Sequence, residues 1–387
     1  MLKRIGSIAL LASLVTLAVA AAAIARPAKV TAAAAGTSCK AGVSIGMLAP
    51  ITGPAGSIGA DQLHWALFYA SQWNKVKGHV KIKIVQGDTQ LDPAKATTVA
   101  QQFASNKKIM GVVGPAGSDE VEAIRNTLRK AGLSFVSGSA TRVSLSNGSY
   151  RGFFFRVVPN DSVQGPTAAD YMRTKLGVKS GDSVMVVDDQ ESYSTGLADI
   201  VGTSLAAKGV KVDRESISQK ATDFSSLIAK VTSSTKVVYL PFQLASQAQL
   251  FAQQLQAQGK KAVVFGSDGT FDSSKFNVSG SYISFFAPDV TTVPANAAVA
   301  KAFNKAYPGG TSPFGAPNYV AMQVYANAIT KACKDGKITR AELRKDFAKV
   351  SLANTLIGPI RFTANGDVAN AKFHIFKIEN GKYVTIS

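Results

Sequence analysis

The chain has 387 residues, with 43 lysines and arginines against 24 aspartates and glutamates, and a formal net charge of +19 at pH 7. That length is enough for two domains of ordinary size. The basic residues are scattered singly and are not interleaved with aromatic residues. This pattern excludes a nucleic-acid partner and predicts solubility and attraction to anionic envelope surfaces.

The first residues predict export. Lys3 and Arg4 precede the apolar run IGSIALLASLVTLAVAAAAI, and small residues follow it as far as Gly36, which is the pattern of a secretory signal. A membrane anchor is the alternative, since the run is about long enough to span a bilayer, but its many small residues favour cleavage. We assign residues 1–38 to a signal peptide and leader, whose removal lowers the formal charge to +15. The rest of the chain is expected in the periplasm or on the outer face of the cytoplasmic membrane.

Cys39 and Cys333 are the two cysteines of the sequence, and two cysteines in an exported chain predict one disulfide. Cys39 could instead be a lipid-modified first residue. However, Gly36-Thr37-Ser38 is a poor lipidation signal and lies well beyond the apolar run. We therefore favour the disulfide.

Strand and helix patterns then alternate along the chain. In the first half, the strand-like runs VSIGML, VKIKIV, IMGVVG and LSFVSG are separated by helical stretches such as QLHWALFYASQW and PAKATTVAQQFASN. After FFFRVVPND the alternation restarts with the helical stretch TAADYMRTKLG and the strands SVMVVDD, KVDRESI, KVVYLPF and AVVFGS. Helical patterns follow near residues 296–306, 318–333 and 339–349, and the chain ends in a hairpin with an Asn-Gly turn.

This βαβα order predicts parallel sheets with helices on both faces. The last helices are too numerous for the second unit, so the chain is expected to return to the first. The predicted fold is α/β with two lobes, lobe I from residues 39–158 plus 289–361 and lobe II from residues 159–288 plus 362–387. Because ligands of open α/β sheets bind beyond the carboxyl ends of the strands, the cleft between the lobes is the expected site.

Catalytic and metal-binding patterns do not fit the sequence. The loop at residues 111–118 lacks the lysine of a phosphate-binding loop, and no histidine lies beside a nucleophile-elbow pattern. The stretch CKDGKITRAEL faintly resembles a calcium-binding loop, but Lys331 and Cys333 would then occupy ligand positions. We predict no enzymatic activity, no cofactor and no bound metal.

Polar residues that follow strands predict a binding site. Ser118 opens a helix after one strand, and Ser139 and Thr141 follow the next strand. Their hydroxyls and the loop N–H groups suit a monoanionic carboxylate, although Ser118 could simply cap its helix. In lobe II, Tyr193 follows SVMVVDD and Asp268 follows AVVFGS, where this acid could meet an ammonium group. The two sides together would hold a zwitterion.

Several stretches, taken in order, resemble the leucine/isoleucine/valine-type substrate-binding proteins of bacterial ABC importers, which have the type I periplasmic binding fold. The stretches are IGMLAPITGPAGSIG, GVVGPAGSDEVEA, VSGSAT, FRVVPNDSVQGPTAADYM, DDQESYSTGLAD, FGSDG and GPIRFTANGD, and the resemblance covers nearly all of residues 41–387. It implies that Ser118 and Thr141 hold the ligand carboxylate, assisted by backbone at Ser139. It also implies that Asp268 takes the ammonium group.

The same resemblance implies that Tyr193 closes over the ligand and that Phe314 lines its side-chain pocket. The implied ligand is a small molecule, a branched-chain or other hydrophobic amino acid, and the implied partners of a monomeric protein are membrane permease subunits of an ABC importer. The sequence departs from the family where Asp268 replaces a frequent glutamate, where Gln243 or Leu244 replaces a tyrosine, and where Ile58 replaces a common aromatic residue. A sensory ligand-binding protein on the same fold, or a binder of a non-amino-acid carboxylate or amide, is the alternative.

Overall fold

The computed structural model of the protein describes residues 36–309, 312–370 and 372–386. The predicted signal peptide and leader therefore lie outside the described residues, except for residues 36–38. Among the residues that are described, none of the helices combines the length and the hydrophobicity that a membrane crossing requires.

The described secondary structure alternates as the sequence predicts. In chain order the strands are β1 (Thr37–Ser38), β2 (Val43–Ala49), β3 (Ile82–Asp88), β4 (Ile109–Val113), β5 (Ser134–Ser137), β6 (Phe154–Arg156), β7 (Ser183–Asp188), β8 (Lys211–Ser216), β9 (Thr235–Leu240), β10 (Val263–Gly266), β11 (Tyr282–Phe285), β12 (Lys337–Ile338), β13 (Ser351–Leu352), β14 (Ile360–Arg361), β15 (His374–Glu379) and β16 (Lys382–Thr385). The helices are α1 (Gly56–Lys75), α2 (Pro93–Ser105), α3 (Ser118–Lys130), α4 (Asp161–Thr174), α5 (Ser192–Ala206), α6 (Ser225–Ala229), α7 (Ala245–Ala257), α8 (Ala297–Ala306), α9 (Gly315–Ala332) and α10 (Arg340–Phe347).

The strands form two main sheets. The first is parallel throughout, in the order β3-β2-β4-β5-β6. The second has the order β16-β15-β11-β10-β9-β7-β8, and its last two strands in the chain, β15 and β16, run antiparallel to their neighbours. The predicted two-lobed α/β fold is confirmed. We keep the names lobe I and lobe II for the parts built on the five-stranded and seven-stranded sheets, and the exact residue boundaries between them stay a prediction.

The late helices pack on the first sheet. The hydroxyl of Tyr325, on α9, donates a hydrogen bond to Val112 O (3.1 Å) or Ser134 O (2.9 Å) and accepts one from the Val112 N–H (2.9 Å). Gly111 allows this approach, because a Cβ there would lie 2.4 Å from the ring of Tyr325. The chain thus returns from the second sheet to cover the first.

Two helices begin earlier than their sequence patterns indicate. The pattern of α1 predicts a start near Gln62, and that of α4 predicts a start near Thr167, after a Gly-Pro pair. In the structure α4 begins at Asp161, where the Asn160 side chain accepts a hydrogen bond from the Ser162 N–H (2.9 Å) and so caps the helix. Glycine next to proline usually breaks a helix. Here the glycine lets α4 pack closely on α5, because a Cβ at Gly165 would meet the α5 side chains at 2.4 Å.

The N-terminus of the described chain is tied to the end of lobe I that lies away from the carboxyl ends of its strands. Cys39 and Cys333 form a disulfide, which confirms that prediction, and the sulfur of Cys39 is thereby unavailable to a lipid. Strand β1 pairs with β12 in the same place, with Thr37 opposite Ile338. Residues 37–39 are therefore fixed at this end of lobe I.

Candidate functional site

A cavity with an internal volume of about 40 Å³ lies between the two lobes, beyond the carboxyl ends of the parallel strands. The lining residues are Pro50, Ala55, Ile58, Leu91, Ala116, Gly117, Ser118, Ser139, Tyr193, Gln243, Asp268, Gly269 and Phe314. Five of the six predicted ligand-binding residues line the cavity, and the sixth, Thr141, is fully buried two residues beyond Ser139.

On lobe I, the cavity meets the N-terminus of α3. The helix is capped by Gly117, whose N–H donates to Glu120 Oε2 (2.7 Å), so Ser118 is the first helical residue and does not cap the helix. The Ser118 hydroxyl instead accepts a hydrogen bond from the Arg142 N–H (3.2 Å) and joins the two loops of this wall. The wall combines a hydroxyl with the positive end of a helix dipole, which suits an anion.

The loop after β5 is held by a serine that the sequence did not single out. The Ser137 hydroxyl donates to Pro115 O (2.7 Å) and accepts from the N–H groups of Ser139 (3.1 Å) and Ala140 (2.8 Å). The Ser139 N–H is therefore already engaged within the loop. Its expected help to a ligand carboxylate would have to come from the Ser139 side chain.

A buried arginine fixes the same loop from behind. The Arg156 guanidinium is fully buried, pairs with Asp367 (2.5 Å) and donates to Ala140 O (3.0 Å) and Arg142 O (2.9 Å). Burial lowers the pKa of Arg156, and the carboxylate of Asp367 opposes that shift. Arg156 ends the run FFFR, and the sequence pattern did not indicate its positioning role.

On lobe II, the predicted tyrosine and acid lie together. The Tyr193 hydroxyl is 2.7 Å from Asp268 Oδ1 and 2.7 Å from Ser267 Oγ, so its single proton goes to one of these two groups. Gly269 permits the tight turn after β10, because a Cβ there would lie 2.4 Å from Phe242 O. Burial raises the pKa of Asp268 to about 7, and hydrogen bonds from Tyr193 and Gln164 oppose the rise.

A second acid on lobe II, Asp161, was missed by sequence reasoning. It is fully buried at the start of α4, and its N–H donates to Thr141 O (2.9 Å). Burial raises the pKa of Asp161 to about 8, and the charge of Asp268 adds to the rise, while the nearby hydroxyl of Thr141 and Arg156 oppose it. An acid directly after the strand FRVVPN was the available signal. It lies six residues ahead of Thr167, where the pattern placed the start of α4.

The remaining wall is apolar. Phe314 is 2 % exposed and makes edge-to-face contacts with Phe285 and Phe286, at ring-centre distances of 4.9 Å and 5.6 Å. Ile58 and Leu91 line the same cavity. Ile58 is the position at which the sequence has an aliphatic residue in place of a common aromatic one. This surface fits an aliphatic or aromatic group.

Hydrogen bonds join the lobes around the rim of the cleft. Ser192 Oγ donates to Glu122 Oε2 (2.8 Å), and Ser57 Oγ donates to Asp272 Oδ2 (2.6 Å). Lys275 Nζ donates to the carbonyl oxygen of Pro54 (2.7 Å). The structure is therefore a closed arrangement of the two lobes.

No cluster of three or more histidine, cysteine, aspartate or glutamate side chains that could hold a metal ion occurs within residues 36–309, 312–370 and 372–386. The cleft instead gathers hydroxyls and a helix N-terminus on one side, two acids and a tyrosine on the other, and an apolar wall between them. Chemically, this arrangement can bind a molecule with a carboxylate, an ammonium group and a hydrophobic side chain.

Known proteins share this architecture. The sequence model of the family described as periplasmic binding protein matches residues 42–382. The chain is 27% identical to an amino acid binding protein of Pseudomonas aeruginosa, over 90% of this chain and 93% of the relative. It is 26% identical to the leucine-specific-binding protein of Salmonella typhimurium, over 87% of this chain and 90% of the relative.

A solved structure agrees in fold. The branched-chain amino acid transporter substrate-binding protein LivJ of Streptococcus pneumoniae, determined in complex with isoleucine, superimposes with a TM-score of 0.79. The match covers 89% of this chain and all of the other chain, at 24% sequence identity.

Proposed function

The chain belongs to the periplasmic binding protein family, and from this membership we propose that it is the extracytoplasmic substrate-binding component of an ABC importer. We propose as its ligand a small hydrophobic amino acid, with a branched-chain amino acid as the first candidate. The observation that carries the proposal is the opposite chemistry of the two cleft walls. The names of the relatives from Pseudomonas aeruginosa and Salmonella typhimurium support the same ligand class.

The ligand carboxylate is assigned to lobe I. The Ser118 hydroxyl lies on the cavity at the N-terminus of α3 and can donate its proton to a carboxylate oxygen. Thr141 is buried two residues beyond Ser139, with its hydroxyl near the Asp161 carboxyl. Neutral donors and a helix dipole hold a single negative charge without a competing cation.

The ligand ammonium group is assigned to lobe II, between Asp161 and Asp268. Both acids are buried, and their negative charges repel each other, as the raised pKa of Asp161 reflects. Neither oxygen of the Asp161 carboxyl has a well-formed hydrogen bond among the described residues. An ammonium group between the acids would relieve the repulsion and supply the missing donors. Closure of the cleft would then be favoured when a cationic group enters it.

The ligand side chain is assigned to the apolar wall of Ile58, Leu91 and Phe314. We propose that the protein performs no chemistry, since its two acids are placed to pair with a cation. We further propose that the chain is exported, that residues 1–38 are removed, that it acts as a monomer, and that its closed form is presented to membrane permease subunits.

Isothermal titration calorimetry with matched ligands tests the proposal. L-leucine, L-isoleucine, L-valine and L-phenylalanine are compared with leucinamide, which lacks the carboxylate, and with 4-methyl-2-oxopentanoate, which lacks the ammonium group. We expect at least one of the amino acids to bind and both altered ligands to bind at least thirtyfold more weakly than leucine, because each leaves one wall unpaired. Preferential binding of the deaminated acid would overturn the amino-acid assignment.

A further inference from the structure

We propose that the end of lobe I remote from the cleft is a docking surface for an anionic lipid bilayer. We call this region the basic end face. It is formed by the amino ends of strands β2 to β5, the carboxyl ends of helices α1, α2, α3 and α9, and the β1–β12 pair. Its exposed basic residues are Lys40, Lys75, Lys77, Lys81, Lys107, Lys108, Arg129, Lys130, Lys331, Lys334 and Lys337.

The positive charge of the protein is not shared by the two lobes. With the predicted boundaries, lobe I has 24 lysines and arginines against 10 acidic residues, whereas lobe II has 15 against 14. Nearly all of the net charge therefore belongs to lobe I. A charge needed only for solubility would have no reason to follow the lobe boundary.

Hydrogen bonds place the segments of the basic end face together. The Val43 N–H donates to Lys81 O (2.8 Å), which joins the starts of β2 and β3. The Arg340 guanidinium donates to Ile109 O (2.9 Å) and Ala131 O (2.8 Å), which joins α10 to the start of β4 and to the segment after α3. The lysines that flank these segments therefore share one end of the lobe.

The basic side chains of this face are not neutralised. None of the eleven forms an ion pair with another described residue, whereas Lys230 pairs with Glu215 (2.7 Å) and Lys236 with Asp182 (4.0 Å) on lobe II. Helix C-termini favour cations, but Lys77, Lys107 and Lys108 lie outside the helices. A set of unpaired cations on one face attracts an extended anionic surface.

The composition of the face favours lipid over a protein partner. Ten of the eleven side chains are lysines, which act as flexible point charges, while protein interfaces are enriched in arginine and aromatic residues and depleted in lysine. Val76 stands between Lys75 and Lys77 and is 47 % exposed, the most exposed of the large hydrophobic side chains described. A valine flanked by lysines suits the boundary between headgroups and acyl chains.

The position of the face also fits a bilayer. Strand β1 lies on this face, where Thr37 pairs with Ile338. The ligand cleft lies at the opposite ends of the same strands. A bilayer on the basic end face would therefore hold the protein near the membrane without contacting the residues that line the cleft.

Vesicle binding tests the proposal. Protein secreted from an expression host, with loss of the leader verified by mass spectrometry, is floated with vesicles of equal parts phosphatidylglycerol and phosphatidylcholine, or of phosphatidylcholine alone, at 50 and 500 mM NaCl. We expect binding to the anionic vesicles at low salt, none to the neutral vesicles, and loss of binding at high salt. If the wild-type protein does not bind anionic vesicles at 50 mM NaCl, the proposal is overturned. A protein partner would then be the better explanation of the basic end face.

A matched pair of variants separates the face from net charge. One variant replaces Lys75, Lys77, Lys107 and Lys108 by glutamine, and the control makes the same change at four exposed lysines of lobe II, which are Lys175, Lys208, Lys211 and Lys261. We expect the first to bind anionic vesicles at least tenfold more weakly and the control to stay within threefold of wild type. Equal losses would overturn the proposal. Both variants should keep the cooperative thermal unfolding of the wild-type protein without ligand, which verifies folding and does not depend on the proposed function.

Discussion

The two walls of the cleft differ in how they obtain their polarity. At Ser118, lobe I presents a hydroxyl and the N-terminus of α3, whose first turn also carries Asp119 and Glu120, with pKa values raised by burial to about 7 and about 8. Lobe II buries two acids, and that burial raises the pKa of Asp161 to about 8 and that of Asp268 to about 7. Burying a helix N-terminus without a bound anion costs little free energy. Burying two carboxylates costs much more free energy as long as no cation is bound between them. The acid wall should therefore dominate binding energy and pH dependence.

The largest effect is expected from the acid wall. Asp268→Asn keeps the shape of the side chain but removes its charge, so an enclosed ammonium group loses an anionic partner. Losing one member of a buried charged pair costs about 2–5 kcal/mol, which is a loss of affinity of roughly thirtyfold to several thousandfold. Calorimetry with the amino acid identified in the ligand panel measures it.

Asp199→Asn is the control, since Asp199 lies on the same lobe with a side chain that is 75% exposed. It should leave affinity unchanged. Unaltered affinity in Asp268→Asn would show that the ammonium group does not meet this acid, and Asp161→Asn would then identify whether the second acid takes it. The double variant should lose less binding free energy than the sum of the losses in the two single variants, because both acids pair with the same cation.

The hydroxyl wall should give the next largest effect. Ser118→Ala removes one hydrogen bond to a charged carboxylate, which is worth about 1.5–3 kcal/mol, so affinity should fall roughly tenfold or more. Ser71→Ala removes a hydroxyl that donates to Phe68 O (2.8 Å) within α1, and it should not change affinity. If Ser118→Ala binds the ligand as wild type does, the role of Ser118 is confined to its bond with the Arg142 N–H.

The pH dependence of binding compares the walls in one experiment. With a raised pKa of about 7, Asp268 is ionised above neutral pH and takes up a proton as pH falls, and the protonated form cannot pair with an ammonium group. A bound cation lowers this pKa and that of Asp161, which burial raises to about 8, so affinity is lost as pH falls through 8 and 7. Linkage for Asp268 alone predicts a decrease of about tenfold between pH 8 and pH 6, and Asp161 adds to it.

Ser118 and Thr141 do not titrate in this range, but Asp119 and Glu120 beside Ser118 do, with pKa values raised by burial to about 7 and about 8. The Asp268→Asn variant should bind weakly with a flatter pH profile, while Ser118→Ala should keep the slope of wild type. A wild-type affinity that does not change between pH 6 and pH 8 would contradict the assignment of the ammonium group to the acid wall.

The sequence predicted those site residues whose position follows from the neighbouring sequence. It did not predict residues whose role depends on partners far along the chain. Asp268 and Tyr193 directly follow strands, and the carboxyl ends of parallel strands meet at one edge, so pattern alone placed them at the cleft. Asp161 was missed because it lies ahead of the predicted start of α4 near Thr167, in a segment where a Gly-Pro pair weakens the helix signal. Arg156 was missed because its role depends on Asp367, far along the chain, and no local periodicity reports such a pair.

The fold followed the same division. The alternation of strands and helices is carried by local hydrophobic patterns, and it predicted the two sheets. The early starts of α1 and α4 were not predicted, because glycine and proline weaken the local helix signal. In the folded protein the glycines are favoured there, because a larger side chain would prevent close packing. A Cβ at Gly59 would lie 2.1 Å from Pro50 O, and one at Gly165 would lie 2.4 Å from Ile200. Tertiary contacts override propensity at such positions.

The smallest effect is expected where the two lobes meet at the rim and no ligand is touched. Ser192 Oγ donates to Glu122 Oε2 (2.8 Å) across the cleft in the closed arrangement, so Ser192→Ala removes an interaction that only closure forms. Such a bond near solvent is worth about 1 kcal/mol, so affinity should fall roughly fivefold, mainly through faster dissociation. Ser204→Ala is the matched control on the same helix, because its hydroxyl donates to Ile200 O (2.8 Å) within α5 and does not cross the cleft. Stopped-flow fluorescence with the identified amino acid measures the association and dissociation rate constants separately. If only the association rate constant falls, this contact forms before closure. It would then speed ligand entry without slowing ligand release.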